Sequence, residues 1–184
     1  MSSVSTRKGD DGQTAILGKE RMPKSSSRIV ALGSIDELAA TLGVAHAFCT
    51  TLETRANIKR AQLDLFRLGT SLATPLEEKD RTKEELREQL RTLDECILSL
   101  EARHATRHYS STVDRYIQQQ YGAWLVPGDT VDASLLHLAR TVCRRAETSV
   151  VALKQQGNYV NECVLAYLNR LSDLLWVLAR ELEK

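Results

Sequence analysis

The chain has 184 residues, the size of one domain or of two very small ones. Its 25 Lys and Arg balance 24 Asp and Glu, for a formal net charge of +1. This argues against a general nucleic-acid or membrane-surface binder, which would carry a basic excess. Hydrophobic content of 42% with only 9 Gly and 3 Pro argues against disorder and against a turn-rich β-fold.

Residues 1–33 differ from the rest. They hold Gly9, Gly12, Gly18 and Gly33, a Ser25-Ser26-Ser27 run, and a set of basic residues that includes Arg7, Lys8, Lys24 and Arg28. Little there has a helical period, and the segment reads as an ordered polar loop or a docking arm. From Ser34 the pattern becomes helical: Ile35, Leu38, Ala39 and Leu42 recur at i, i+3, i+4, i+7. Ser34 is the expected N-cap, with Glu37 completing a capping box. A second helix runs to about Thr74 on a stripe of Ile58, Ala61, Leu65, Leu68 and Leu72, and Pro75 stops it. Thr82 and Glu85 form another capping box before Leu86, Leu90, Leu93, Ile97 and Leu100. Residues 102–122 are less regular. Trp124-Leu125-Val126-Pro127-Gly128 is a short apolar run ending in a turn. A fourth helix starts near Asp132, with Leu135, Ala139, Val142, Ala146, Val150 and Leu153 as its stripe; Gly157-Asn158 ends it. The last helix carries Val164, Leu168, Leu171, Leu175, Leu178 and Leu182. The expected fold is all-α: one domain over 1–184, with an arm at 1–33 and an up-and-down five-helix bundle at 34–184.

Cys49, Cys96, Cys143 and Cys163 are widely spaced, with no C-x-x-C, so neither a zinc knuckle nor a redox dithiol is expected. Four reduced, mostly buried thiols suit a cytoplasmic protein. No apolar run approaches the roughly 20 residues of a membrane span. The N-terminus lacks the apolar core of a secretory signal, though a trimmed transit peptide is left open.

Three constellations carry possible chemistry. Arg140, Arg144 and Glu147 share one face of the fourth helix at i, i+4, i+7, with Arg145 beside it. One reading is a solvated face with an Arg144–Glu147 pair, worth a few tenths of a kcal/mol, ~0.3. The other is a polyphosphate clamp, because guanidinium forks match phosphate oxygens bidentately. On the last helix Asn169, Asp173, Trp176 and Arg180 form a polar stripe; an Asn inside a helix serves either structural hydrogen bonding or ligand contact. Residues 6–14 read Thr6-Arg7-Lys8-Gly9-Asp10-Asp11-Gly12-Gln13-Thr14. They read either as a flexible tail or as a phosphate cradle, in which glycines admit close backbone approach. It is not a Walker A loop. His104 and His108 at i, i+4 make a weak metal pair, with no third ligand of evident spacing.

Four segments together resemble the PduO-type ATP:cob(I)alamin adenosyltransferases, also called corrinoid adenosyltransferases. They are Thr6 through Thr14; Arg28 through Gly33-Ser34-Ile35-Asp36-Glu37-Leu38; Arg140-Thr141-Val142-Cys143-Arg144-Arg145-Ala146-Glu147; and Asn169-Arg170-Leu171-Ser172-Asp173. They occur in the family's order and span nearly the whole chain. The resemblance implies a homotrimer with active sites between subunits. It implies transfer of the 5′-deoxyadenosyl group of ATP to the cobalt of cob(I)alamin, giving adenosylcobalamin and triphosphate, with Mg²⁺ assisting. By position, Thr6, Arg7, Lys8, Gly9, Thr14 and Lys24 would bind ATP, with Arg144, Arg145, Glu147 and Asn169 completing the nucleotide site. Asp36 and Arg140 would correspond to the family's salt-bridged pair near the corrin. Trp124 stands where the family has Phe, as an apolar wall to the corrin. A cobalamin reductase and a B12-dependent mutase are the implied partners. The alternative from another class is a non-catalytic helical protein that binds ATP or cobalamin as a carrier or regulator.

Overall fold

The computed structural model describes residues 5, 7–17, 21–74, 83–104 and 126–183, with the side chains of 103 and 104 left aside. In chain order the elements are β1 (Gln13–Ala15), β2 (Arg21–Pro23), α1 (Ser27–Phe48), α2 (Leu52–Ala73), α3 (Lys83–His104), α4 (Val131–Gln155) and α5 (Glu162–Leu182). Among the described residues the architecture is five helices and mainly helical, as expected.

α4 lies against α1 on one side and α5 on the other; α1 also packs on α2, and α5 on α3. The stripes read from the periodicity meet in one core. Ile35, Leu38 and Leu42 of α1, Leu65, Leu68 and Leu72 of α2, and Ala139, Val142, Ala146, Val150 and Leu153 of α4 are buried, with Leu168, Leu171, Leu175 and Leu178 of α5. Each fully buried Leu contributes about 1.5–3 kcal/mol relative to exposure.

Three helix starts are capped as helix chemistry requires. Thr51 accepts from Thr54 N, Thr130 from Ala133 N and Asn161 from Cys163 N. α4 ends at a Gly157 with φ 81°, a left-handed position natural to glycine. Pro75, Thr82, Tyr109–Thr112 and Trp124 lie outside the described residues.

The first helix departs from expectation. It begins at Ser27, not Ser34, so residues 27–33 are helical. Ser26 is the extended residue before it, and its carbonyl accepts from Val30 N at 3.0 Å. Arg28 fixes this early start: its guanidinium donates to Leu72 O at 2.6 Å and to Asn158 Oδ1 at 3.2 Å. That ties the first turn of α1 to the end of α2 and to the turn after α4. Ser34 is inside the helix, and its hydroxyl meets Val30 O and Ser149 Oγ. Glu37 closes no capping box but reaches Arg145 on α4.

One other expectation is corrected. β1 and β2 form an antiparallel pair, Thr14 opposite Met22, inside a segment read as loop. Strands of three residues are too short to show a period of two. By length and mean composition α1 is apolar enough to cross a bilayer. Alanines between its larger residues raise the average without an unbroken apolar run, and the core helix of a bundle meets the same criterion.

Candidate functional site

The N-terminal arm is tied by its own charges. Arg21 Nη2 lies 2.9 Å from Asp11 Oδ2 and donates to Lys8 O at 2.9 Å. Asp11 also accepts from Gln13 N, and this backbone bond, followed by the Arg21 charge, lowers its carboxyl pKa below the ordinary value. Lys24 Nζ donates to Gly9 O at 2.7 Å. A Cβ at position 9 would sit 3.0 Å from that ammonium, so glycine admits the approach. Arg7 has φ 57°, uncommon for a residue with a side chain, and Gly12 has φ 78°. Of the expected ATP residues, Gly9 and Lys24 are in contact, Arg7 and Lys8 are exposed beside them, and Thr14 sits half-buried in β1. Thr6 lies outside the described residues.

The arm leads directly into α1, and a cavity of about 820 Å³ opens there. Ser25, Ser26 and Ser27 line one side, and Arg145, Thr148 and Ser149 of α4 line the other. The end of the arm and the arginine helix thus border one space.

On α4, Arg144 is exposed and, among the described residues, has no carboxylate partner. The Arg144–Glu147 pair of the solvated-face reading is not formed. Glu147 Oε1 instead accepts from Asn169 Nδ2 of α5 at 3.4 Å. Arg145 pairs with Glu37 at 2.6 Å. Arg140 is half-buried, and its Nε is buried without a hydrogen-bond partner. Asp36 is exposed on α1, beside a groove of about 200 Å³ between α1 and α2 that Phe66 and Gly69 also line. Asp36 and Arg140 form no bridge within the chain. Trp124 lies outside the described residues.

Cys143, between these arginines in sequence, faces inward and donates to Leu168 O at 3.2 Å. Burial first, then the Glu147 charge, pushes its thiol up to about 12, so it is no nucleophile at neutral pH. Among the described residues no group of three or more His, Cys, Asp or Glu is placed to hold a metal ion. Reading the sequence did not find Glu37 as the partner of Arg145, the Asp11–Arg21 link, or Asp94, which pairs with Arg170 at 3.1 Å. Each joins residues of different elements, and no local spacing signals them.

Comparison with known proteins gives the family of the chain. The family model for cobalamin adenosyltransferase matches residues 4–182. A cobalamin adenosyltransferase of Cupriavidus metallidurans is 36% identical, over 100% of this chain and 90% of its own length. A corrinoid adenosyltransferase of Citrobacter freundii is 34% identical, over 98% of this chain and 94% of its own. Among solved structures, a variant PduO-type ATP:corrinoid adenosyltransferase from Lactobacillus reuteri, complexed with cobalamin and ATP, has a TM-score of 0.80 and 31% identity. The match covers 97% of this chain and 92% of that one. Motifs, fold and relatives therefore converge on one conclusion: this chain belongs to the cobalamin adenosyltransferase family.

Proposed function

We propose that the protein transfers the 5′-deoxyadenosyl group of ATP to the cobalt of cob(I)alamin, forming adenosylcobalamin and triphosphate. The observation that carries this is Arg144: an exposed guanidinium without a carboxylate partner among the described residues, next to the Glu147–Asn169 contact and one residue from the cavity that the arm borders. An arginine neutralised by Glu147 would be a weaker anion ligand.

In the reaction Co(I) attacks C5′ and the C5′–O bond breaks, its electron pair leaving with triphosphate. Co(I) is a strong nucleophile, so no general base is required. The protein's task is to hold C5′ in line with cobalt and to stabilise charge on the leaving oxygen. Arg144, Lys8 and Lys24 supply that charge, with Thr6, Arg7, Gly9, Thr14 and Arg145 completing the phosphate contacts. Lys24 would exchange the Gly9 carbonyl for a phosphate oxygen, which couples arm geometry to nucleotide binding. Glu147 and Asn169 orient the nucleotide. The described residues provide no cage for a cation, so Mg²⁺ fits as a companion of the triphosphate, with Glu147 the carboxylate at hand.

On the corrin side, the resemblance to the family gives Trp124 the role of an apolar residue that would favour the corrin over water. Arg140 and Asp36 bridge between subunits of a homotrimer. What supports this is that the two side chains, Asp36 exposed and Arg140 half-buried, make no bridge to each other within the chain. The exposed Phe66 and Leu63 of α2 suit the same assembly. A cytoplasmic location, a cobalamin reductase upstream and a B12-dependent mutase downstream fit this chemistry.

The test is an anaerobic assay with chemically reduced cobalamin and Mg-ATP, following Co(I) absorbance and triphosphate together. Equal adenosylcobalamin and triphosphate over many turnovers establishes the transferase. ATP binding without turnover establishes the carrier or regulator instead.

A further inference from the structure

Arg170 follows Asn169 on α5 with its side chain half exposed. Its Nη1 donates to Asn169 Oδ1 at 2.9 Å, and its Nε donates to Asp94 Oδ1 of α3 at 3.1 Å. On the other side of the same amide, Asn169 Nδ2 lies 3.4 Å from Glu147 Oε1 of α4. A row of alternating acceptors and donors thus runs across three helices.

A guanidinium carries only donors, and an ionised carboxylate carries only acceptors. An amide held between the two has one satisfactory orientation. Its oxygen must face Arg170 and its nitrogen must face Glu147. Reversal would set N–H against N–H on one side and oxygen against oxygen on the other. A side-chain amide without such neighbours has no comparable preference.

We infer that Arg170, anchored by Asp94, is a positioning residue that orients the Asn169 amide, so that the nucleotide site meets an N–H donor there. The inference rests on the placement of Asn169 at the nucleotide under the proposed function. One amide hydrogen goes to Glu147, and the second is left for an acceptor on the nucleotide. The Arg170–Asp94 pair is too exposed to add much stability, so its effect belongs to binding.

The experiment measures ATP binding by calorimetry, steady-state kinetics and thermal midpoints for the full chain. Arg170→Met should raise Kd and KM for ATP about tenfold, the loss of one well-directed hydrogen bond. Its kcat, its KM for cobalamin and its thermal midpoint should stay at wild-type values. Arg170→Lys, which keeps a donor, should recover most of the loss, and Asp94→Asn should lie between wild type and Arg170→Met. Asn169→Ala is the control on the underlying reading. If it weakens ATP binding while Arg170→Met does not, the positioning role is overturned and the site stands. If Asn169→Ala binds ATP normally, the placement of Asn169 fails, and the inference with it. A fall in kcat and thermal midpoint together for Arg170→Met would make the residue merely structural and also overturn the inference.

Discussion

Tyr167 of α5 donates its hydroxyl to Asp64 Oδ2 of α2 at 2.8 Å, inside the core. Tyr167 is 1% exposed and Asp64 5%. Arg67 pairs with the other oxygen of Asp64 at 3.1 Å. Tyr167→Phe leaves a buried carboxylate with one partner fewer and should cost about 1–3 kcal/mol. A chemical denaturation midpoint equal to wild type would show that the bond adds nothing.

Arg144→Glu should reduce turnover by about a hundredfold or more, as for loss of a group that stabilises developing charge. Arg144→Lys keeps the charge but not the fork and should retain part of the rate. The measurement is triphosphate release in the anaerobic assay. A wild-type rate for the charge reversal would remove Arg144 from the site.

Arg28→Ala should destabilise by about 1–2 kcal/mol, because it deprives the Leu72 carbonyl and Asn158 of their donor. Amide exchange should quicken first in residues 27–33, the turns of α1 nearest the arm. Unchanged protection there would mean that the start of α1 holds without this tie.

The Cys143 thiol is raised from an ordinary 9.0 to about 12, chiefly by burial. Between these values the unfolded chain loses the proton while the folded one keeps it, so stability falls as pH rises. By pH 10 this one group removes about 1.4 kcal/mol. Cys49, raised to about 11 by burial and then by Asp132, acts in the same direction. Cys143→Ala should therefore flatten the fall in denaturation midpoint between pH 8 and pH 10. A slope equal to wild type would count against burial as the cause.

Much of the fold is legible in the sequence. The Ile58–Leu72 and Val142–Leu153 stripes are buried as their spacing required, because a 3.6-residue period is a local property of the chain. The ends of α2 and α4 followed from Thr74 before Pro75 and from Gly157, where backbone chemistry acts on its own residue. The four motifs pointed to the family because residue types in that order, over nearly the whole chain, are a property of the sequence itself.

What the tertiary structure decided were the choices among local options. Ser34 and Glu37 have the spacing of a capping box, yet Arg28 finds Leu72 O and Asn158 across the fold, and the helix starts at Ser27. Arg144 and Glu147 have the spacing of an ion pair, yet Glu147 turns to Asn169 and Arg144 is left unpaired by any carboxylate among the described residues. Arg145, its neighbour, is paired instead with Glu37 on another helix. The sequence by itself determined which faces are apolar and which residue types are available to the site. Which arginine meets a carboxylate depends on groups brought together from 108 positions apart, and only packing selects among such partners.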